Sequence, residues 1–168
     1  MNQPIKTAQA LHVLAKRAVK KLASYGCTVS TAESCTGGLI AKAITDVSGS
    51  SAVLCGGFVT YTNEIKIGVL GVDPDVIARH TEVSFACAEA MARCAREKTG
   101  SAFALSTTGY AGPGGGTDAD PVGTVYIGIA TPNSVRSERI CVADATRTQV
   151  RITAAYCALQ MLMDEMDT

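Results

Sequence analysis

The chain has 168 residues, a length that suits one compact domain with a buried core. Hydrophobic residues make up 47% of it and charged residues 18%, which excludes a disordered or highly solvated chain. The 15 Lys and Arg residues balance the 15 Asp and Glu residues, so the chain has no net positive charge to attract nucleic acid or an anionic membrane. Any site for an anion must therefore be local.

The composition also limits where the protein is expected to work. No apolar run approaches the roughly 20 residues that cross a bilayer, and residues 1–21 lack the uninterrupted apolar segment of a secretory signal. The seven cysteines, an odd number without a Cys-x-x-Cys pair, are interpreted as small buried hydrophobes in a reducing cytosol. The two histidines, His12 and His80, lack the spacing of metal ligands. We expect a cytoplasmic protein that requires neither metal nor cofactor.

Helices and strands alternate along most of the chain. Apolar spacing and helix-end signals predict helices over 11–22, from the glycines at 37–38 to about 46, and over 63–70, 84–98 and 147–166. A further helix is predicted to begin at Asp73-Pro74, with the proline in its first turn. Strands are predicted over 28–32, 52–61, 102–107, 124–130 and 135–142, the last two as a hairpin. This order predicts a single domain over residues 1–168 with a layered α/β/α fold, in which helices cover both faces of a mixed β-sheet.

The first candidate for chemistry is Ser34, between a predicted strand and the following helix. Strand ends of this kind are where ligands bind in α/β folds, and the N–H groups that follow can stabilise an oxyanion or hold a phosphate. Pattern alone also allows Ser34 or Thr36 simply to cap the helix. Cys35 is a rival nucleophile, but no histidine lies near it in sequence.

A second segment holds Tyr61 at the end of a strand and Lys66 one turn into the next helix. A lysine acts as a general base only when burial or a neighbouring cation lowers its pKa, and an adjacent tyrosine can relay the proton. The alternative is a tyrosine that packs at an edge and a solvated lysine. Spacing does not decide between them.

Two further segments predict binding. Residues 109–123 hold six glycines, too many for filler in a compact domain, but they match neither a P-loop nor a dinucleotide fingerprint. Arg147 and Arg151 lie four residues apart at the start of the last helix, where free N–H groups favour phosphate. A solvated basic face is the alternative reading of these arginines.

Three of these segments together resemble the CinA C-terminal domain family. They are the stretch Thr-Ala-Glu-Ser-Cys-Thr-Gly-Gly at 31–38, Val-Thr-Tyr-Thr-Asn-Glu-Ile-Lys at 59–66, and Thr-Gly-Tyr-Ala-Gly-Pro-Gly-Gly-Gly-Thr at 108–117. The likeness covers essentially the whole chain, with the motifs in the same order. Longer family members carry a further amino-terminal domain, whose activities are not expected of this chain. The family includes stand-alone nicotinamide-nucleotide amidohydrolases.

The resemblance implies a Ser–Tyr–Lys catalytic site and a set of ligand-binding residues. The catalytic residues would be Ser34, Tyr61 and Lys66. The substrate-binding residues would be Glu33, Cys35, Thr36, Gly37, Thr108, Gly112, Gly114, Gly115, Gly116 and Arg147. The chain departs from the family's usual pattern at Tyr110, where relatives often have Ile, and at Asp120, where they often have Lys.

The function that the resemblance implies is hydrolysis of the carboxamide of nicotinamide mononucleotide to nicotinate mononucleotide and ammonia. The alternative is a non-catalytic nucleotide-binding or protein-interaction module of the same family. The expected partner is a small-molecule nucleotide, with no nucleic acid and no membrane. A homodimer is expected, because small α/β enzymes often form symmetric pairs.

Overall fold

The computed structural model describes residues 2–167 and confirms the predicted α/β fold. The strands of its sheet are β1 (Val29–Glu33), β2 (Leu54–Val59), β3 (Phe103–Gly109), β4 (Thr124–Ala130) and β5 (Val135–Cys141). The helices are α1 (Ala8–Tyr25), α2 (Leu39–Thr45), α3 (Asn63–Ile65), α4 (Pro74–His80), α5 (Phe85–Thr99) and α6 (Arg147–Glu165). A 3₁₀ turn at Ser50–Ala52 precedes β2, and a π-helical turn at Lys66–Leu70 continues α3.

The sheet is mixed, as predicted, and its strand order is β2-β1-β3-β4-β5. Strand β1 runs parallel to both β2 and β3, whereas β4 is antiparallel to β3 and to β5. The chain leaves β1 toward β2 on one side and returns to β3 on the other, so the loops after β1 and β3 diverge. Ligands bind at such a reversal of strand order, outside the carboxyl ends of the strands.

Helices cover both faces of the sheet. Helix α5 packs across one face, while α2 and α6 pack on the other face with α1 against them. The apolar side chains form one large core cluster on the α1, α2 and α6 side and a second on the α5 side. Strands β1 and β4 are therefore buried along their whole length. The polar side chains of β1 lie inside the protein because no face of that strand meets water.

The predicted helix ends are confirmed where side-chain caps define them. The Ser84 hydroxyl accepts a hydrogen bond from the Cys87 N–H at 3.1 Å, and α5 ends at Gly100 in the left-handed conformation. At the start of α6, Thr146 and Gln149 form the expected capping box. These caps satisfy backbone N–H groups that the first turn of a helix leaves without partners.

Two predicted elements differ in detail. Strand β2 begins at Leu54, two residues later than predicted, because the backbone before it forms the 3₁₀ turn. The predicted helix over 63–70 is α-helical for one turn and then widens into the π-helical turn that begins at Lys66. No helix within residues 2–167 is both long and apolar enough to cross a membrane.

Candidate active site

A cleft of about 200 Å³ opens at the carboxyl ends of β1 and β3. It brings together residues from the loop after β1, the turn after β2 and the π-helical turn that follows α3. The turn before α5, the end of β3 with the loop after it, and the start of α6 complete the lining. The lining residues are Ser34, Cys35, Tyr61, Lys66, Glu82, Val83, Thr108, Gly109, Tyr110, Ala111 and Arg147. All three residues predicted to be catalytic therefore line one cleft.

Ser34 is the first residue after β1 and is held in place by the residue before it. The Glu33 carboxylate, fully buried, accepts hydrogen bonds from the N–H groups of Ile40 and Ala41 at 3.1 and 2.9 Å and from the Thr36 hydroxyl at 2.7 Å. The capping role that the sequence allowed for Ser34 or Thr36 thus belongs to Glu33. The Ser34 hydroxyl remains directed at the cleft, with the residue only 8% exposed.

The loop that follows Ser34 is fixed from two further directions. The Thr36 hydroxyl is 2.7 Å from the Thr107 hydroxyl of β3, and Arg151 of α6 donates to the Thr36 carbonyl at 2.7 Å. In the part of the chain that the structure describes, the N–H groups of Cys35 and Thr36 donate to no carbonyl or side chain of another residue. Two fixed donors next to a serine suit an oxyanion. Arg151, expected as part of a phosphate clamp, supports this loop.

Lys66 is buried beside Ser34. The residue is 1% exposed, and its Nζ lies 3.4 Å from the Ser34 Oγ and 3.1 Å from the Thr60 carbonyl oxygen. Burial lowers the pKa of the lysine, and this effect is opposed by interactions with Cys87 and Glu82, followed by smaller ones with Cys35 and Glu64. The solvated lysine that the sequence left open is therefore wrong, and burial favours the neutral amine that a general base requires.

Burial makes the Cys35 thiol less reactive, whereas it favours the reactive, neutral form of the Lys66 amine. Burial raises the pKa of its thiol to about 12, and the residue is only 6% exposed. A thiol acts as a nucleophile in its thiolate form, which is scarce at neutral pH when the pKa is so high. The structure therefore favours Ser34 over Cys35 as the nucleophile.

Tyr61 contacts Arg147 rather than the other two residues. It is 58% exposed, and its hydroxyl accepts a hydrogen bond from the Arg147 Nη2 at 3.0 Å. Arg147 also donates from Nη1 to the Gly112 carbonyl at 2.7 Å. Tyr61 makes no hydrogen bond to Ser34 or Lys66 in the described chain, so the structure shows a Ser–Lys pair with the tyrosine at the rim.

The glycine-rich loop meets the cleft through its first residues. The Thr108 hydroxyl lines the cleft and donates to the Glu82 carbonyl at 2.6 Å. Gly112 is buried at a φ of 82°, and a Cβ there would lie 2.6 Å from the Val122 side chain. Only glycine adopts this conformation at such close packing. Gly112 and the other predicted loop glycines, Gly114, Gly115 and Gly116, lie outside the cleft lining.

Asp120 does not face the cleft. Its carboxylate accepts hydrogen bonds from the Arg139 Nε at 2.8 Å and the Tyr126 hydroxyl at 3.0 Å. The acid that stands where relatives often have a lysine is therefore neutralised by an arginine of β5, and it ties the glycine-rich loop to the β4–β5 hairpin.

Five lining residues were not among the predicted site residues. They are Glu82, Val83, Gly109, Tyr110 and Ala111, of which Tyr110 had been singled out only as a departure from the family pattern. The sequence signal for Glu82 and Val83 was weak because they lie in a short turn before a strongly predicted helix. Within residues 2–167, no group of three or more His, Cys, Asp or Glu side chains is placed to hold a metal ion.

The sequence profile of the CinA C-terminal domain matches residues 11–166. The chain belongs to the CinA C-terminal domain family. A CinA-like protein of Myxococcus xanthus is 50% identical over 149 residues, which cover 88% of this chain and 35% of that protein. A CinA-like protein of Shewanella baltica is 48% identical over 153 residues, 91% of this chain and 36% of that protein. The chain thus spans about a third of the length of these CinA-like relatives.

Solved structures of the CinA superfamily have the same fold. The competence/damage-inducible protein CihA of Agrobacterium tumefaciens has a TM-score of 0.91 and 39% identity, with 99% of each chain covered. A CinA superfamily protein of Klebsiella pneumoniae has a TM-score of 0.89 and 32% identity, with 94% of this chain and 98% of that one covered. The resemblance seen in the three motifs is therefore confirmed at the level of family and fold.

Proposed function

We propose that this chain is an amidohydrolase that converts nicotinamide mononucleotide to nicotinate mononucleotide and ammonia. The observation that carries the proposal is the Ser34–Lys66 pair, in which an amine that is 1% exposed lies 3.4 Å from a serine hydroxyl at the carboxyl end of β1. A buried neutral amine next to a serine is a recurrent means of activating the hydroxyl. The nucleotide substrate comes from the family resemblance, and it fits the arginine at the rim of the cleft.

The first half of the reaction forms an ester on Ser34. The neutral Lys66 amine accepts the hydroxyl proton while the Ser34 Oγ bonds to the carboxamide carbon. The resulting oxyanion accepts hydrogen bonds from the N–H groups of Cys35 and Thr36. The lysine ammonium then returns the proton to the amide nitrogen, and the C–N bond breaks to release ammonia.

The second half uses the same groups in reverse. Lys66 accepts a proton from water, the hydroxide bonds to the acyl carbon, and the ester C–O bond breaks as Ser34 regains a proton. Nicotinate mononucleotide is released. Water is the co-substrate of this half, and the groups that move its proton belong to this chain.

Arg147 and Tyr61 form the rim that would receive the substrate's 5′-phosphate. The guanidinium is fixed by the Gly112 carbonyl and the Tyr61 hydroxyl, and it lies near the N-terminus of α6, whose dipole favours an anion. Because the Tyr61 oxygen accepts from Arg147, its own O–H is directed elsewhere and can donate to the substrate. Tyr61 would therefore orient the substrate at the rim, with the proton transfer assigned to Lys66.

The test is ammonia release from nicotinamide mononucleotide by the wild-type chain and by Ser34→Ala. We expect the variant to lose roughly a thousandfold or more in turnover, as when other nucleophiles are removed. The exposed Ser51→Ala is the matched control and should retain wild-type activity. Equal activity of Ser34→Ala and wild type would overturn the assignment of Ser34 as the nucleophile. No ammonia from folded wild-type protein would leave the non-catalytic nucleotide-binding module as the function. The homodimer and the cytoplasmic location stay predictions.

A further inference from the structure

Glu82 is a carboxylate in the cleft that the amidase chemistry does not use. The residue is half-buried and lines the cleft together with Ser34 and Lys66. Within residues 2–167, its carboxylate accepts no hydrogen bond, and it is the one acidic side chain in the cleft lining. A half-buried charge without hydrogen bonds is costly unless another charge balances it.

The turn that presents Glu82 is firmly built. Thr81 adopts a φ of 69°, a left-handed conformation that is strained for a residue with a branched Cβ. The Thr108 hydroxyl holds the Glu82 carbonyl at 2.6 Å, and the next residue, Val83, is 7% exposed and packs with Tyr126. Strain that persists in a turn fixed on both sides is characteristic of functional sites.

The aromatic ring of Tyr110 lies in the same part of the cleft. It packs against the cluster that contains Val83, and it lines the cleft with Glu82. Burial, with the negative charges of Glu82 and Asp120, raises the pKa of Tyr110, so the phenol stays neutral. The face of a neutral phenol ring attracts cations, as does a carboxylate.

We propose that Glu82 and Tyr110 select a carboxamide carried on a positively charged aromatic ring, with Glu82 as the specificity-determining residue. This inference takes its ligand from the proposed function, since the ring of nicotinamide mononucleotide is an N-substituted pyridinium cation. When Lys66 is the neutral base, the remaining cation of the cleft lining is Arg147, which donates to the Gly112 carbonyl and the Tyr61 hydroxyl, so no described cation of the lining pairs directly with the charge of Glu82. A cationic ring bound there balances it, and by repulsion it also disfavours the protonated form of Lys66.

A comparison of the oxidised and reduced forms of nicotinamide mononucleotide tests the effect of ring charge separately from the effect of shape. The reduced form carries the same carboxamide, ribose and phosphate, but its dihydropyridine ring is neutral. In a Ser34→Ala background, which prevents turnover, we would measure the dissociation constants of both forms by calorimetry. We expect the oxidised form to bind more tightly than the reduced form. Adding Glu82→Gln should weaken binding of the oxidised form by about tenfold, a change suited to a partly exposed charge pair, and leave the reduced form within about twofold.

The matched control is Glu97→Gln, which removes the same charge from an exposed position on α5. It should leave both constants unchanged. If Glu82→Gln fails to fold, Glu82→Ala provides the same comparison. A preference that survives the loss of Glu82, or equal weakening of both forms, would overturn the inference.

The result also separates this inference from the proposed function. Ammonia release by the wild-type chain together with an unchanged preference in Glu82→Gln would overturn the inference alone. No ammonia release, together with a preference that Glu82→Gln abolishes, would support cation selection and overturn the amidase.

Discussion

At the scale of single residues, the Ser34–Lys66 pair depends on the charge state of one amine. Four titratable groups face Lys66 from four surrounding segments: Cys35 after β1, Glu64 in α3, Glu82 before α5, and Cys87 in α5. Burial raises the pKa of the Cys35 thiol to about 12 and that of Cys87 to about 11, so both stay neutral near pH 7. The carboxylates therefore supply the negative charge that opposes the effect of burial on the lysine.

The first prediction is a pH dependence that Lys66 sets. A lowered pKa means that the amine loses its proton below the ordinary value of 10.5, and only the neutral form accepts the serine proton. The value of kcat/KM should therefore rise with pH to a plateau, and the apparent pKa of this rise should lie below 10.5. The measurement is the pH profile of kcat/KM for ammonia release.

Lys66→Arg is the control for that profile. A guanidinium keeps its charge throughout the accessible pH range, so this variant should be inactive at every pH, including pH 10. A profile without a rising limb in the wild type, or activity retained by Lys66→Arg, would contradict the role of the lysine as base.

At the scale of elements, the second prediction concerns the cap that Glu33 places on α2. The carboxylate accepts three hydrogen bonds, two of them from the N–H groups of Ile40 and Ala41. An amide in its place turns an N–H₂ group toward one of these donors. We expect Glu33→Gln to lower the free energy of unfolding by about 1–3 kcal/mol and to lower kcat, because the loop that carries Ser34 loses its support.

Urea unfolding and ammonia release measure the two effects. Glu97→Gln again serves as the control, since that carboxylate is exposed, and it should change neither quantity. A Glu33→Gln variant with wild-type stability and wild-type turnover would show that the capping network does not position Ser34.

The elements also show what the sequence was able to predict. Helix α6 followed from its capping box, and β4 and β5 followed from the hairpin pattern, because local hydrogen bonds and alternation fix both. The π-helical turn at Lys66 did not, since a segment of five residues is too short for its apolar spacing to distinguish a π-helical turn from an α-helical one. That turn begins at the residue whose amine meets Ser34, a long-range contact that depends on how β1 and β2 pair.

The role of Glu33 was missed for a similar reason. Its strand is short and polar, so nothing local indicates that a carboxylate at its end reaches the N–H groups of α2. Ser34 and Thr36 were the better capping candidates by sequence, because serine and threonine are the usual N-cap residues. Glu82 was missed because its importance arises only when the turn before α5 meets the loop after β3.

At the scale of the whole molecule, the site follows from the order of the strands. The chain moves from β1 to one neighbour and then to the other, and the loops after β1 and β3 separate at that point. Ser34 follows β1 and the glycine-rich loop follows β3, so the topology alone brings the first and third sequence motifs to one cleft. Lys66 comes from the crossover that leaves β2, which makes the sheet the common support of all three motifs.

That shared sheet leads to a prediction about cooperativity. Cys35 belongs to the core cluster on the α1, α2 and α6 side, and Cys87 belongs to the cluster on the α5 side. Burial raises the pKa of both thiols, whereas Cys55 is exposed on β2. A disulfide reagent at pH 8 should therefore label Cys55 quickly, and label Cys35 and Cys87 only when the protein unfolds.

If residues 1–168 fold as one domain, the two buried thiols should become reactive over the same range of urea concentration, because each cluster packs on the sheet that the other needs. Mass spectrometry of the labelled peptides measures each cysteine separately, with Cys55→Ser as the control that removes the fast reaction.

Exposure of Cys87 at a lower urea concentration than Cys35 would show that the α5 layer unfolds by itself. Rapid labelling of Cys35 in the native protein, accompanied by loss of ammonia release, would instead return the thiol to consideration as the nucleophile.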